Sequence, residues 1–183
     1  IAQKAAEAYM LQNPGVKISL SGGGSGNGIK AIIDGTADIG NASRFIKSTE
    51  VNLANKNGVY PVPFRVALDA IVPVVNPGNK IADLTMAQLK DIYMGKIKDW
   101  KELGGTPGQI VVISRDSSSG TFGVWKDMVM KKDRVIPSAL TVPSNGGIVQ
   151  AVSKTPGAIG YVGLGYLSKE IKAVSVEGIA GTE

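Results

Sequence analysis

The stretch SRDSSSGTFG, Ser114 to Gly123, sets an arginine, an aspartate, three consecutive serines and a threonine around one glycine. A guanidinium is a planar two-pronged donor matched to a tetrahedral oxyanion, and hydroxyls and helix N-terminal N–H groups add further donors. Ser119 or Thr121 would cap the helix that follows, which accounts for one hydroxyl. It does not account for Arg115 beside Ser117, Ser118, Ser119 and Thr121, whereas a tetrahedral oxyanion uses every group: the guanidinium as a two-pronged donor, the hydroxyls and the helix N–H groups as further donors. Asp116 either holds Arg115 in place or accepts a proton from the ligand. A nucleophilic serine is disfavoured: the chain has no histidine to activate it, no G-x-S-x-G, and no S-x-x-K starting at these serines.

Three further segments carry candidate donors. In SGGGSGNG, Ser21 to Gly28, the dinucleotide fingerprint fails at Asn27 counted from Gly22 and at Ile29 counted from Gly24. A phosphate-cradling P-loop fails because Gly28 is followed by Ile29 before Lys30. A general property survives: glycines such as Gly24 let backbone N–H groups approach a ligand, Ser25 adds a hydroxyl, and the next helix presents its positive end. The alternative is a tight turn packing strand on helix. NASR places Ser43 and Arg44 at a strand's carboxyl end, where open α/β sheets bind ligands. SNGG opens another helix, with Ser144 and Asn145 as donors or ordinary caps.

The composition narrows the chemistry. Without cysteine or histidine, disulfides, thiol nucleophiles, most zinc sites and the commonest general base are excluded, and no metal or cofactor is expected. The net charge of +5 suits an anionic ligand, but the lysines are scattered and no arginine-rich, aromatic-interleaved tract points to nucleic acid. No apolar run approaches the roughly 20 residues that cross a bilayer.

These loops need strands and helices to hold them. Apolar spacing predicts a helix over Ile1–Gln12, stopped by NPG, then a strand in VKISL (16–20), the glycine loop, and a helix from Ile29. A short strand is expected in ADIGNASR (37–44), a polar helix in STEVNLANKNG (48–58), and a strand in VYPVPFRVALDAIVPVVN (59–76). After the turn NPGNK come helix TMAQLKDIYMG, strand IVVISR, helix TFGVWKDMVMKK, a helix after Ser144, a strand in AIGYVG and a last strand in IKAVSVEG. The final IAGTE carries no signal. Alternating strands and helices predict an α/β protein with a mostly parallel sheet. The turn cluster marks a boundary between residues 1–75, a first and partial lobe, and residues 76–183, a second lobe.

In this order and spacing, NPGVKISLSGGGSGNGIKAIIDGTADIGNASR, LKDIYMGKIKDW, SRDSSSGTFG and PGAIGYVGLGYL resemble the phosphate-binding proteins of bacterial phosphate ABC transporters. The resemblance implies a two-lobed type II periplasmic binding protein fold closing on phosphate, with no catalytic step. It places Ser25, Arg115, Ser119, Gly120 and Thr121 at phosphate-contacting positions and Ser43 and Arg44 in the third ligand loop. It also implies an ABC transporter permease as partner and a periplasmic or extracellular, or lipid-anchored, location. Some members of the family carry aspartate where Arg44 stands, so their device for excluding sulfate does not transfer. Measured against the family, the fold is expected to be incomplete at both termini, with a partner chain or a missing segment supplying strands. A structural or assembly subunit completed by strand exchange is therefore the alternative function.

Overall fold

The computed structural model describes residues 2–181. Its elements in order are helices α1 (Ala2–Gln12), α2 (Ser25–Ile33) and α3 (Ser48–Lys56), strand β1 (Ile71–Val75), strand β2 (Asp83–Leu84), helix α4 (Met86–Tyr93), strand β3 (Val111–Arg115), helix α5 (Gly120–Met128), strand β4 (Leu140–Val142), helix α6 (Asn145–Lys154), strand β5 (Ala158–Gly163), and short strands β6 (Lys172–Ala173) and β7 (Ser175–Val176).

Five strands form one sheet in the order β4-β3-β5-β1-β6. β3 runs parallel to β4 and β5, whereas β1 is antiparallel to both β5 and β6. The sheet is thus mixed, which corrects the mostly parallel arrangement expected from alternating elements. The boundary expected after Val75 is corrected too. β1 pairs along its whole length with β5, from Ile71 opposite Gly163 to Val75 opposite Ile159, so it packs with the residues that follow it.

Both faces of this sheet are covered, as period-two alternation along buried strands requires. Ile159 and Tyr161 of β5 face a core with Val75, Val112, Leu89, Ile92, Tyr93 and Trp125, under α4 and α5. Ala158 and Val162 face the other way, with Val72, Val74, Ile113, Ile148 and Val152, under α6. Gly160 lets α6 lie close, since a Cβ there would come within 2.7 Å of Ile148. α4 starts where a reciprocal cap permits: the Thr85 hydroxyl accepts the Gln88 N–H and the Gln88 side chain accepts the Thr85 N–H.

Residues before β1 build differently. α2 and α3 share a small core of Ile29, Ile33 and Ala54, backed by Ile46 and Val59. The strands expected in 16–20, in 37–44 and in 59–70 do not form; only 71–75 of the last becomes a strand. Ladder hydrogen bonds need a partner strand, and among the described residues no strand pairs with these segments. Pro61 and Pro63 also lack the N–H a ladder needs. The period-two apolar face of the third segment is consequently exposed: Tyr60, Val62, Phe64, Val66 and Leu68 all stand in solvent.

Candidate functional site

The site is built where three chain segments meet at the N-terminus of α5. β3 carries its residues into the centre of the molecule and ends at Arg115, which is 8% exposed. Four residues later the Ser119 side chain accepts the Phe122 N–H at 3.2 Å and starts the helix. The first-turn N–H groups of α5, those of Gly120 and Thr121 among them, have no intrahelical acceptor and carry the positive end of the helix dipole.

Two serines from separate segments meet Gly120. Ser25, the first residue of α2, accepts the Ser43 N–H on its hydroxyl at 2.9 Å, and the two hydroxyl oxygens lie 3.3 Å apart. A Cβ on Gly120 would overlap both oxygens, so glycine is required there for close approach. Ser25, Ser119 and Thr121 are all buried.

The glycine loop also touches the loop after β3 directly. The Gly26 N–H donates to Ser118 O at 2.9 Å, and the Ser118 hydroxyl donates to Gly23 O at 3.0 Å. Gly24 has φ of 85°, in the region that favours glycine, and a Cβ on it would sit 2.9 Å from Ser118 O. Two independent reasons therefore fix glycine at that position.

Arg115 is held from the opposite side. Its guanidinium donates to Asn145 Oδ1 at 3.2 Å and to Pro143 O at 3.0 Å, while its buried Nε has no partner among the described residues. A buried unpaired donor is costly and suits a ligand acceptor. Ser144 caps α6 by accepting the Gly147 N–H at 3.0 Å, so of the SNGG pair Asn145 reaches the site by orienting Arg115 and Ser144 serves its helix. Asp116, for which the sequence leaves open holding Arg115 or accepting a ligand proton, accepts both the Ser118 N–H and the Ser118 hydroxyl and so positions Ser118. Burial pushes its carboxyl upward, but those hydrogen bonds and the Arg115 charge outweigh burial and leave it below the usual carboxylate range.

Arg44 has a different setting from the direct anion contact expected of it. Both terminal nitrogens are taken by Glu50, at 2.9 and 2.8 Å, and one also donates to Phe45 O. Its stem lies on α5, with Cδ 3.3 Å from where a Cβ on Gly123 would be. Hydrogen bonding to Arg44 holds the Glu50 carboxyl below its ordinary value, and Glu50 in turn raises Arg44. Ser43 thus reaches the site while Arg44 docks its segment on α5.

Two supporting residues escaped the sequence reading. Tyr161 on β5 accepts the Arg115 N–H at 3.2 Å, shares a 3.0 Å hydrogen bond with the Ser114 hydroxyl, and stacks on Trp125 at 4.3 Å between ring centroids. Burial raises its phenol. A tyrosine on the apolar face of AIGYVG was the signal, because a buried phenol seeks a partner. Glu50 stands three residues after Lys47 and accepts the Lys47 N–H at 2.8 Å, the position of an acidic helix cap.

The arrangement brings hydroxyls, helix-start N–H groups and one buried guanidinium together. Among the described residues no group of three or more acidic, cysteine or histidine side chains is placed to hold a metal. Every one of these hydroxyl, N–H and guanidinium groups is a donor that an anion can accept from.

A model of the PBP superfamily domain matches residues 1–182. The chain belongs to the PBP superfamily. It is 34% identical to phosphate-binding protein PstS of Bacillus subtilis, covering 96% of this chain and 57% of that one. It is 32% identical to PstS of Pseudomonas aeruginosa, covering 97% and 60%. The chain therefore spans less than two thirds of the length of these curated relatives. Among solved structures it matches a Clostridium perfringens chain described as a phosphate ABC transporter substrate-binding protein with bound phosphate, at TM-score 0.87 and 36% identity over 97% of this chain and 71% of that one. An ABC-type phosphate transport receptor of Vibrio cholerae matches at TM-score 0.76 and 32% identity, over 99% and 73%. The fold is that of the type II periplasmic binding proteins.

Proposed function

We propose that this chain binds inorganic phosphate between the segments 21–28 and 41–44 on one side and 115–121 on the other, and hands it to an ABC transporter permease outside the cytoplasm. The observation that carries the reading is the meeting of the Ser25 and Ser43 hydroxyls at Gly120, on the positive end of α5. Among the described residues Arg115 supplies the one buried positive charge, it has no carboxylate hydrogen bond, and its Nε–H is a donor without a partner that suits a ligand oxygen. The N–H groups at the helix starts supply the rest of the neutralisation.

Binding needs no covalent step, so the protein is a receptor and not an enzyme. Two lobes close on the ion, the first comprising the residues before β1 and the second running from β1 onward, with residues 59–70 as the connection. The names of the relatives support a receptor over an assembly subunit. Calorimetric titration of the chain with inorganic phosphate tests the reading, with one saturable site per chain expected.

A further inference from the structure

The Ser118 hydroxyl has one proton and two acceptors. It lies 3.0 Å from Gly23 O, across the gap between the two loops, and in short contact with Asp116 Oδ1 on its own loop. A serine hydroxyl has one proton, so the two acceptors share it, and the Asp116 carboxylate holds the larger part. Asp116 does not depend on that proton, because its Oδ1 also accepts the Ser118 N–H at 2.9 Å. Ser118 O meanwhile accepts the Gly26 N–H at 2.9 Å, making the contact between the loops two-ended. The glycine loop is shaped around this residue: a Cβ on Gly24 would meet Ser118 O at 2.9 Å, and one on Gly26 would meet Ser118 Cα and O at 3.3 Å.

We infer that Ser118 is the latch of the binding cleft, its hydroxyl shared between Asp116 and Gly23 O when the loops are closed and left with Asp116 alone when they part. This rests on the phosphate-receptor reading for its purpose, but not for its geometry. Ser118 is a positioning residue. Its neighbours Ser119, Gly120 and Thr121 face the ligand, while Ser118 sets how long the loops stay together around it. The Asp116 carboxylate keeps the hydroxyl bonded in the open form, so opening does not strand a donor, and the equilibrium stays within reach of ligand binding energy.

The test pairs two measurements on the full chain. In stopped-flow mixing with inorganic phosphate, followed by tryptophan fluorescence, S118A releases phosphate about twofold to fivefold faster than wild type, the value of the weak Gly23 share of the hydroxyl's bond, since the Asp116 share is lost from both forms alike. Its association rate changes less than about twofold, since dissociation carries most such effects. S118T, which keeps the hydroxyl, restores slow release, and G26A, which crowds Ser118 from the partner loop, speeds release. The second measurement uses no ligand: amide exchange at Gly26, whose N–H is bonded to Ser118 O only in the closed form, accelerates in S118A. Unchanged release or unchanged Gly26 exchange in S118A overturns the latch. If no variant binds phosphate and Gly26 exchange still responds, the latch stands and the phosphate reading falls.

Discussion

Gly120→Ala separates stability from binding in a way few substitutions can. Gly120 is the first residue of α5 and does not lie in the left-handed region, so alanine fits its backbone. Alanine is favoured over glycine in a helix by about 0.5–1 kcal/mol, less at a first position, so folding should be unaffected or slightly improved. The closed site responds the other way, because the new methyl would overlap the Ser25 and Ser43 oxygens together. Restoring ordinary van der Waals separation requires the serine segments to retreat by about 1 Å. Overpacking of this kind costs about 1–3 kcal/mol, and here the cost falls on the closed form alone. Phosphate affinity should therefore drop about 5-fold to 150-fold. Urea unfolding in phosphate-free buffer measures the first effect and calorimetric titration the second. Wild-type affinity in the variant would refute the convergence of the serines on Gly120, and parallel losses of affinity and stability would refute the claim that the cost is confined to the closed form.

Two further predictions concern the supports of the site. Tyr161→Phe keeps the stack on Trp125 but leaves the buried Arg115 N–H and Ser114 hydroxyl without their shared partner. It should destabilise by about 1–3 kcal/mol in urea unfolding, and a neutral result would show that the phenol does not anchor the end of β3. Glu50 has a folded pKa depressed by Arg44, so its contribution is present above the unfolded value of about 4.3 and is lost as pH falls through the lower folded value. Glu50→Gln should be less stable than wild type at pH 7 and approach it at pH 3; a gap of constant size would mean the pair adds nothing through its charge.

How far the sequence could be read depended on where each element finds its partners. β3, α5, α6 and β5 followed from local signals: a short apolar run, a hydroxyl cap, and the glycine-punctuated AIGYVG. The hydroxyls of Ser25 and Ser43 were candidates on chemistry, but only the fold shows that they meet each other at Gly120. Arg44 shows the limit of residue type as evidence, since a guanidinium suits an anion and a carboxylate equally, and Glu50 six residues on takes both of its terminal nitrogens. The failed strands show another limit. Val16, Ile18 and Leu20, and Tyr60 through Leu68, alternate as strands do, yet alternation states only which face is apolar. The direction of β1 was equally hidden, because neither periodicity nor turn residues record whether strands far apart in sequence run together or opposed.

Isothermal titration of the chain with inorganic phosphate, repeated in excess sulfate, tests the central claim most directly. The account predicts saturable binding at one site per chain, with the phosphate isotherm surviving sulfate if the hydroxyl cluster distinguishes a protonated from an unprotonated oxyanion and weakening by competition if it reads only shape and charge. A cooperatively folded sample that takes up neither ion would contradict it.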